Sequence, residues 1–216
     1  MGGGPPRIGH PDVEVKFHGP GRYTGRFGPN EMGCQRKPGL PPSKENMERW
    51  TYAEAWDRAM AVAKSLVGCE VGKGVRVATM TTNRLEYFPG FFGAALAGAV
   101  ATPLSTFSTP AEFEVILEKS CVSVLLLERY VLKKDFAQIL IHLDPSIGTA
   151  RPGEIRSLKF PYLRHVVVID SDEGIGGIEG WSSFIARGAG VPEEIVNART
   201  AQVTPADPGV LFFSSG

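Results

Sequence analysis

The tightest constraint on how this chain can fold is a run of alternating extended and helical patterns between residues 75 and 127. Val75-Arg-Val-Ala-Thr-Met80 has the length and apolar content of a short buried strand. A helical run of small residues follows, and Val100-Ala-Thr-Pro-Leu104 again reads as extended. Thr109-Pro-Ala-Glu112 then opens a helix, and Val122-Ser-Val-Leu-Leu-Leu127 is the most strand-like segment of the series. Strands that alternate with helices in this order need crossover connections. The pattern therefore predicts an α/β fold, a parallel sheet with helices on its faces. Such a fold fixes no function by itself.

A chain of 216 residues accommodates one domain or one and a half, with room for a sizeable core. Lys+Arg and Asp+Glu balance at 23 each, so no bulk field draws the chain to nucleic acid or to an anionic membrane. Cys34, Cys69 and Cys121 are widely spaced, with no CxxC pair, and Met1-Gly-Gly-Gly-Pro-Pro6 lacks both a secretory apolar core and a myristoylation signal. A reducing, cytoplasmic setting is expected. The uncharged run 88–104 is interrupted by Pro89, Gly90, Gly93, Gly98 and Pro103, and falls short of the roughly 20 strongly apolar residues of a membrane span.

Residues 1–49 hold ten of the Gly and eight of the Pro. So dense a mixture resists regular structure, because few large apolar side chains offset the entropy of ordering it. An arm is expected there, with a short strand at 13–17. A proline-rich ligand segment at 38–41 is the functional alternative. A first α/β subdomain is expected over 50–170, and a connector with a strand leading into a ligand loop over 171–216.

From residue 50 the local signals are clear. Thr51-Tyr-Ala-Glu54 is a capping box, and apolar positions 52, 55, 56, 59, 63 and 66 follow helical spacing until Gly68. Asn83 is the expected cap of a second helix, with Pro89 marking its start or a kink. Its Gly and Ala residues suit close packing. Pro110 takes the first position of a third helix after the Thr109 cap. A fourth helix is expected over 131–143, with Leu132, Phe136, Ile139, Leu140 and Leu143 on one stripe. Then come a strand at 165–170, a short helix at 181–187 and a last strand at 209–214.

Several groups invite a chemical reading. Gly174-Ile-Gly-Gly-Ile-Glu-Gly180 has the look of a dinucleotide turn, but Glu179 occupies the third-glycine slot, and Asp170, Asp172 and Glu173 would repel a pyrophosphate. The four histidines form no metal-ligand spacing, so no metal site is expected. Ser214 and Ser215 lack the context of a hydrolase nucleophile. A buried parallel strand that delivers Ser214-Ser-Gly216 at its carboxyl end would, however, begin a phosphate cradle of hydroxyls and unhindered amides. On the residues alone, a flexible Ser/Gly stretch is the favoured reading, because Ser-Ser-Gly is short and common.

Leu211-Phe-Phe-Ser-Ser-Gly216 resembles the first half of the AMP-binding signature of the adenylate-forming superfamily. Trp50-Thr-Tyr-Ala-Glu-Ala-Trp56, Gly72-Lys-Gly-Val-Arg-Val77, Ala95-Leu-Ala-Gly-Ala-Val-Ala-Thr-Pro-Leu104 and Thr204-Pro-Ala-Asp-Pro208 also resemble that superfamily's segments, in order. The resemblance covers about residues 50–216. Leu85 stands where members often have proline, and residues 1–49 match nothing in the pattern.

The resemblance implies the incomplete amino-terminal part of the large domain of such an enzyme, on the acyl-CoA synthetase branch. In that branch a carboxylate attacks the α-phosphorus of ATP, and a CoA thiol then displaces AMP. It implies ATP, Mg2+ and CoA as cofactors of the parent enzyme and a carboxylic acid, an acyl chain, as its small-molecule partner. Homo-oligomerisation stays open. Ser214, Ser215 and Gly216 are the implied cofactor-binding residues, and no catalytic residue is assigned within the chain. The alternatives are a non-catalytic α/β interaction module or truncated regulatory form, another adenylate-forming enzyme such as a peptide-synthetase adenylation domain, and a dinucleotide binder built on 174–180.

Overall fold

The computed structural model describes residues 31–36 and 47–213. The expected strand at 13–17 and the proline-rich segment at 38–41 lie outside the described residues. The chain divides into two compact units, Met1–Ala53 and Glu54–Gly216. In the first, β1 (Glu31–Arg36) and β2 (Met47–Thr51) pair antiparallel, with a register shift between Glu31 and Gly33. Regular structure therefore reaches into the Gly/Pro-rich stretch that composition alone read as an arm. The hairpin uses Glu31-Met-Gly-Cys-Gln-Arg36, which contains a single glycine and no proline.

The second unit begins within α1 (Tyr52–Gly68) and continues through β3 (Arg76–Met80), α2 (Tyr87–Leu96), β4 (Val100–Pro103), α3 (Pro110–Ser120) and β5 (Val122–Leu127). A two-residue ribbon of β6 (Tyr130–Val131) and β7 (Lys134–Asp135) leads into α4 (Phe136–Leu143) and α5 (Pro145–Thr149). The chain then forms β8 (His165–Val168), β9 (Ile178–Gly180), α6 (Trp181–Ala186) and α7 (Glu193–Ala201). Strands order as β4-β3-β5-β8-β9, every neighbouring pair parallel. The parallel α/β architecture expected from the alternation is the one observed.

Both faces of the sheet are buried. On one, Ala78, Met80, Leu125, Leu127, Val166 and Val168 pack with Phe113 and Leu117 of α3 and Phe136 and Leu140 of α4. On the other, Val77, Val124, Leu126 and Val167 pack with Val62 and Leu66 of α1, Ala94 of α2, Phe184 of α6 and Val196 of α7. The aliphatic run of β5 is the consequence of this two-sided burial.

Local chemistry explains most boundaries. Thr109 Oγ1 accepts from the Glu112 amide while the Glu112 carboxylate accepts from the Thr109 amide, so the capping box on α3 is complete. Pro89 is the third residue of α2, where its missing N–H is not needed. Asn83 does not cap that helix. The N-cap is Glu86, because residues 82–85 are held in a turn by an Arg84 amide to Thr82 carbonyl bond and by the contacts of Thr82 with Glu128. The small residues of α2 serve close approach: a Cβ on Gly93 would come within 2.6 Å of Val62 Cγ1.

Three further expectations are corrected. The fourth helix begins at Phe136 and not at 131, since Leu132 takes a left-handed φ of 56° and is 91% exposed, off the apolar stripe. Asp135 caps the helix by accepting from the Gln138 amide. Second, β9 and α7 are present in addition to the expected elements. Third, α1 turns Tyr52 and Trp56 outward although both match its spacing. Gly68 ends α1 as expected, without a left-handed φ, which falls on Glu70 at 60°. Gly68 is required because a Cβ there would collide with the Arg187 carbonyl.

Candidate functional site

In a doubly wound sheet, ligands bind at the carboxyl ends of the strands, above the point where the winding changes direction. Here the chain goes from β3 outward to β4, then back across to β5 and on to β8, so the reversal lies between β3 and β5. That crevice is filled by the protein's own groups. Glu128, 6% exposed just past β5, accepts from the Thr82 amide at 2.8 Å, the Thr82 hydroxyl at 2.7 Å and Arg84 Nη1 at 3.1 Å. Arg84 also pairs with Glu86 at 3.2 Å. With its partners in place, Glu128 is a clamp between two strand ends.

The next loop along this edge is equally tied down. Arg129 pairs with Asp135 at 3.3 Å, and its amide donates to Asp170. Lys134 Nζ reaches the carbonyls of Thr106, Phe107 and Ser108 at 3.3, 3.1 and 2.8 Å. The contacts of Glu128 with Thr82, of Asp170 with Arg129 and of Lys134 with 106–108 join residues 26 to 46 positions apart, which spacing along the sequence does not reveal.

The carboxyl-terminal segment reaches the sheet on the outer flank of β4. Two motif segments meet to steer it there. Lys73, in the Gly72-Lys-Gly74 turn, bonds Asp207 at 2.8 Å and the Gln202 carbonyl at 2.9 Å. Asp207 accepts in turn from the amide and hydroxyl of Thr204 at 2.7 and 2.9 Å. The bond from Lys73, with those from Thr204, lowers the Asp207 carboxyl to about 2. The chain then joins β4: the Ala101 amide donates to the Gly209 carbonyl at 3.0 Å and the Leu211 amide to the Ala101 carbonyl at 2.9 Å.

This contact is a single parallel bridge, Ala101 to Val210, where a buried strand over 209–214 was expected. Its direction agrees with that expectation; its extent and burial do not. Among the described residues Val210 pairs with β4 alone, and Phe212 is 72% exposed, so the apolar pattern finds one neighbour instead of two. Ser214, Ser215 and Gly216 lie outside the described residues.

The glycine-rich turn at 174–180 is committed to packing. Cβ atoms on Gly174, Gly176 and Gly180 would collide with the carbonyls of Ile178, Gly148 and Asp172 respectively, and Gly176 has a φ of 57°. Glu179 sits on β9, 3% exposed, with Arg187 Nε at 2.9 Å and His165 Nδ1 at 3.5 Å. Burial would raise its pKa, but the bonds from His165 and Arg187 prevail and hold it below the ordinary glutamate value. Such a turn leaves a pyrophosphate little space, and the amides of Ile175, Gly177 and Ile178 are already bonded to carbonyls.

Comparison with known proteins identifies the segment. The chain is 28% identical over 168 residues to the acyl-CoA ligase sidI of Aspergillus fumigatus, covering 78% of this chain and 27% of that one. It is 31% identical over 170 residues to a Mycobacterium tuberculosis ligase named 3-[(3aS,4S,7aS)-7a-methyl-1,5-dioxo-octahydro-1H-inden-4-yl]propanoyl:CoA ligase, covering 78% and 29%. Thus it spans less than a third of the length of either relative. Among solved structures, the N-terminal domain of FACL13 from Mycobacterium tuberculosis superposes with a TM-score of 0.54 at 23% identity, over 78% of this chain and 35% of that one, which speaks for the fold. Residues 31–216 match the family model described as AMP-binding enzyme, and the chain belongs to that family.

Proposed function

We propose that this chain is the amino-terminal portion of an AMP-forming carboxylate–CoA ligase acting on an acyl-chain carboxylic acid, with Ser214, Ser215 and Gly216 contacting the β- and γ-phosphates of ATP. The observation that carries this reading is the parallel pairing of Val210 with Ala101, anchored by Lys73 and Asp207. It aims the signature segment toward the end of the sheet where hydroxyls and amides can meet a phosphate. The family match and the names of the two ligase relatives supply the reaction class.

In this reading ATP activates the carboxylate and CoA supplies the accepting thiol. The part played by this chain is to fix the phosphates in line and to stabilise charge through amides and hydroxyls. Among the described residues no group of three or more His, Cys, Asp or Glu is placed to hold a metal. Residues 50–170 would serve as the first subdomain, 171–216 as the connector to the phosphate loop and 1–49 as an arm. A cytoplasmic location accords with Cys69 and Cys121 being free thiols.

The test is ATP–pyrophosphate exchange. Residues 1–216 alone should show no carboxylate-dependent exchange above a blank; exchange by this piece would overturn the partial-enzyme reading. A chimera carrying residues 50–216 in place of the matching segment of the Mycobacterium ligase should exchange. A folded chimera without exchange would overturn the ligase reading. In the active chimera, Ser214→Ala with Ser215→Ala should lower the rate about 100-fold, the scale of lost transition-state donors. An unchanged rate would remove those serines from the site.

A further inference from the structure

The geometry points to a second anion site at the opposite end of the sheet, a recess that takes a small phosphorylated metabolite. The recess measures about 500 Å³, within the roughly 300–1,000 Å³ typical of small-molecule sites. Arg76, Cys121, Ser123, Tyr162 and Arg164 line it, and no Asp or Glu does. Strand register explains the cluster. Arg76 opens β3 opposite Val122, and the Arg164 amide donates to the Ser123 carbonyl at 2.9 Å just before β8. The two arginines therefore bracket the amino end of β5, the middle strand of the five.

Among the described residues both guanidinium groups bond carbonyls and meet no carboxylate. Arg76 Nη1 donates to the Ser120 carbonyl at 2.7 Å and Arg164 Nη1 to the Leu163 carbonyl at 2.9 Å. Among the described residues neither forms an ion pair with a carboxylate, whereas Arg84, Arg129 and Arg187 each do. Each guanidinium carries five donors, of which these bonds use one. Two partly buried, acid-free arginine forks beside a serine hydroxyl favour a multivalent oxyanion, and arginine matches phosphate oxygens in pairs. Tyr162, 57% exposed, adds a flat apolar wall and a phenolic hydroxyl for the organic part of the ligand. The site is independent of the ligase reading, since it uses none of residues 204–216.

Inorganic pyrophosphate is the probe, titrated against residues 1–216 by calorimetry at physiological ionic strength. Saturable one-site binding is expected. Arg164→Gln should weaken it at least about tenfold, the loss of a charge-assisted hydrogen bond, and this variant leaves the Arg76–Ser120 contact intact. Arg76→Gln should weaken it comparably, with Arg76→Lys recovering part of the loss. Lys64→Gln, on α1, should bind as the native chain does. Bound pyrophosphate should also slow maleimide labelling of Cys121, read by peptide mass. No saturation, native affinity in Arg164→Gln, equal weakening in Lys64→Gln, or unslowed Cys121 labelling would each overturn the proposal.

Discussion

Lys73 Nζ lies 2.8 Å from Asp207 Oδ2, joining the turn before β3 to the turn that launches the last described segment. Lys73 is exposed and Asp207 partly so, and the pair's role is local positioning more than global stability. Lys73→Ala or Asp207→Ala should leave the melting temperature nearly unchanged. Hydrogen exchange at the Leu211 amide, which bonds Ala101, should accelerate severalfold. Unchanged exchange would mean that β4 holds the segment unaided.

The same pair sets a pH window. Asp207 has a folded pKa lowered from 3.8 to about 2, so the contact is favoured above the unfolded value and fades as pH falls from 3.8 through 2. Leu211 protection should follow that fall in the native chain. Asp207→Asn should flatten the dependence.

Glu128 tests the clamp in the switch-point crevice. Arg84→Ala would leave a buried carboxylate held by Thr82 alone, and should cost about 3 kcal/mol in urea unfolding. Replacing both partners, Arg84→Met with Glu128→Leu, should cost less than the single change, because no charge is then stranded. A double variant as unstable as the single would argue that Glu128 acts through Thr82 only.

Two glycines give opposite signs. Gly68→Ala gains helix propensity yet drives a methyl into the Arg187 carbonyl, and should destabilise by about 1–3 kcal/mol. Gly72→Ala has nothing within 4 Å and no left-handed φ, and should be neutral or stabilising by up to about 1 kcal/mol. Chemical denaturation of both variants checks the pair.

Cys69 should be inert in the folded state. Burial pushes its thiol up to about 12, with Glu179 adding to the rise, while Cys121 is partly exposed. At pH 8, maleimide should label Cys121 in the native chain and Cys69 only after unfolding. Fast native labelling of Cys69 would mean that α1 opens locally.

What could be read ahead of the structure was what depends on near neighbours in sequence. Val122 to Leu127 spells a two-sided buried strand, and Thr109-Pro-Ala-Glu112 contains its whole cap. The start of α4 was misplaced because the chain is pinned through Lys134 to the 106–108 carbonyls, a contact invisible to periodicity. β9 is three residues long and exists through its pairing with β8, so it leaves no pattern of its own. α7 is different: Pro192-Glu-Glu194 is a readable helix start. At the candidate site, motif spacing located the Lys73 and Asp207 segments but not their meeting. Val-Leu-Phe-Phe promised a fuller strand than one flank of β4 supports.

β5 feeds both cores with nothing but Val and Leu from 124 to 127. Greasiness alone therefore cannot tell this strand in place from the same strand slid along by one step. The discrimination falls to its polar ends, where Arg76 holds the Ser120 carbonyl and Glu128 holds Thr82 and Arg84. Alignment of the central strand is thus proofread by a few charged and hydroxyl groups at its margins. Alterations there would yield a misthreaded sheet of ordinary hydrophobicity rather than an unfolded chain.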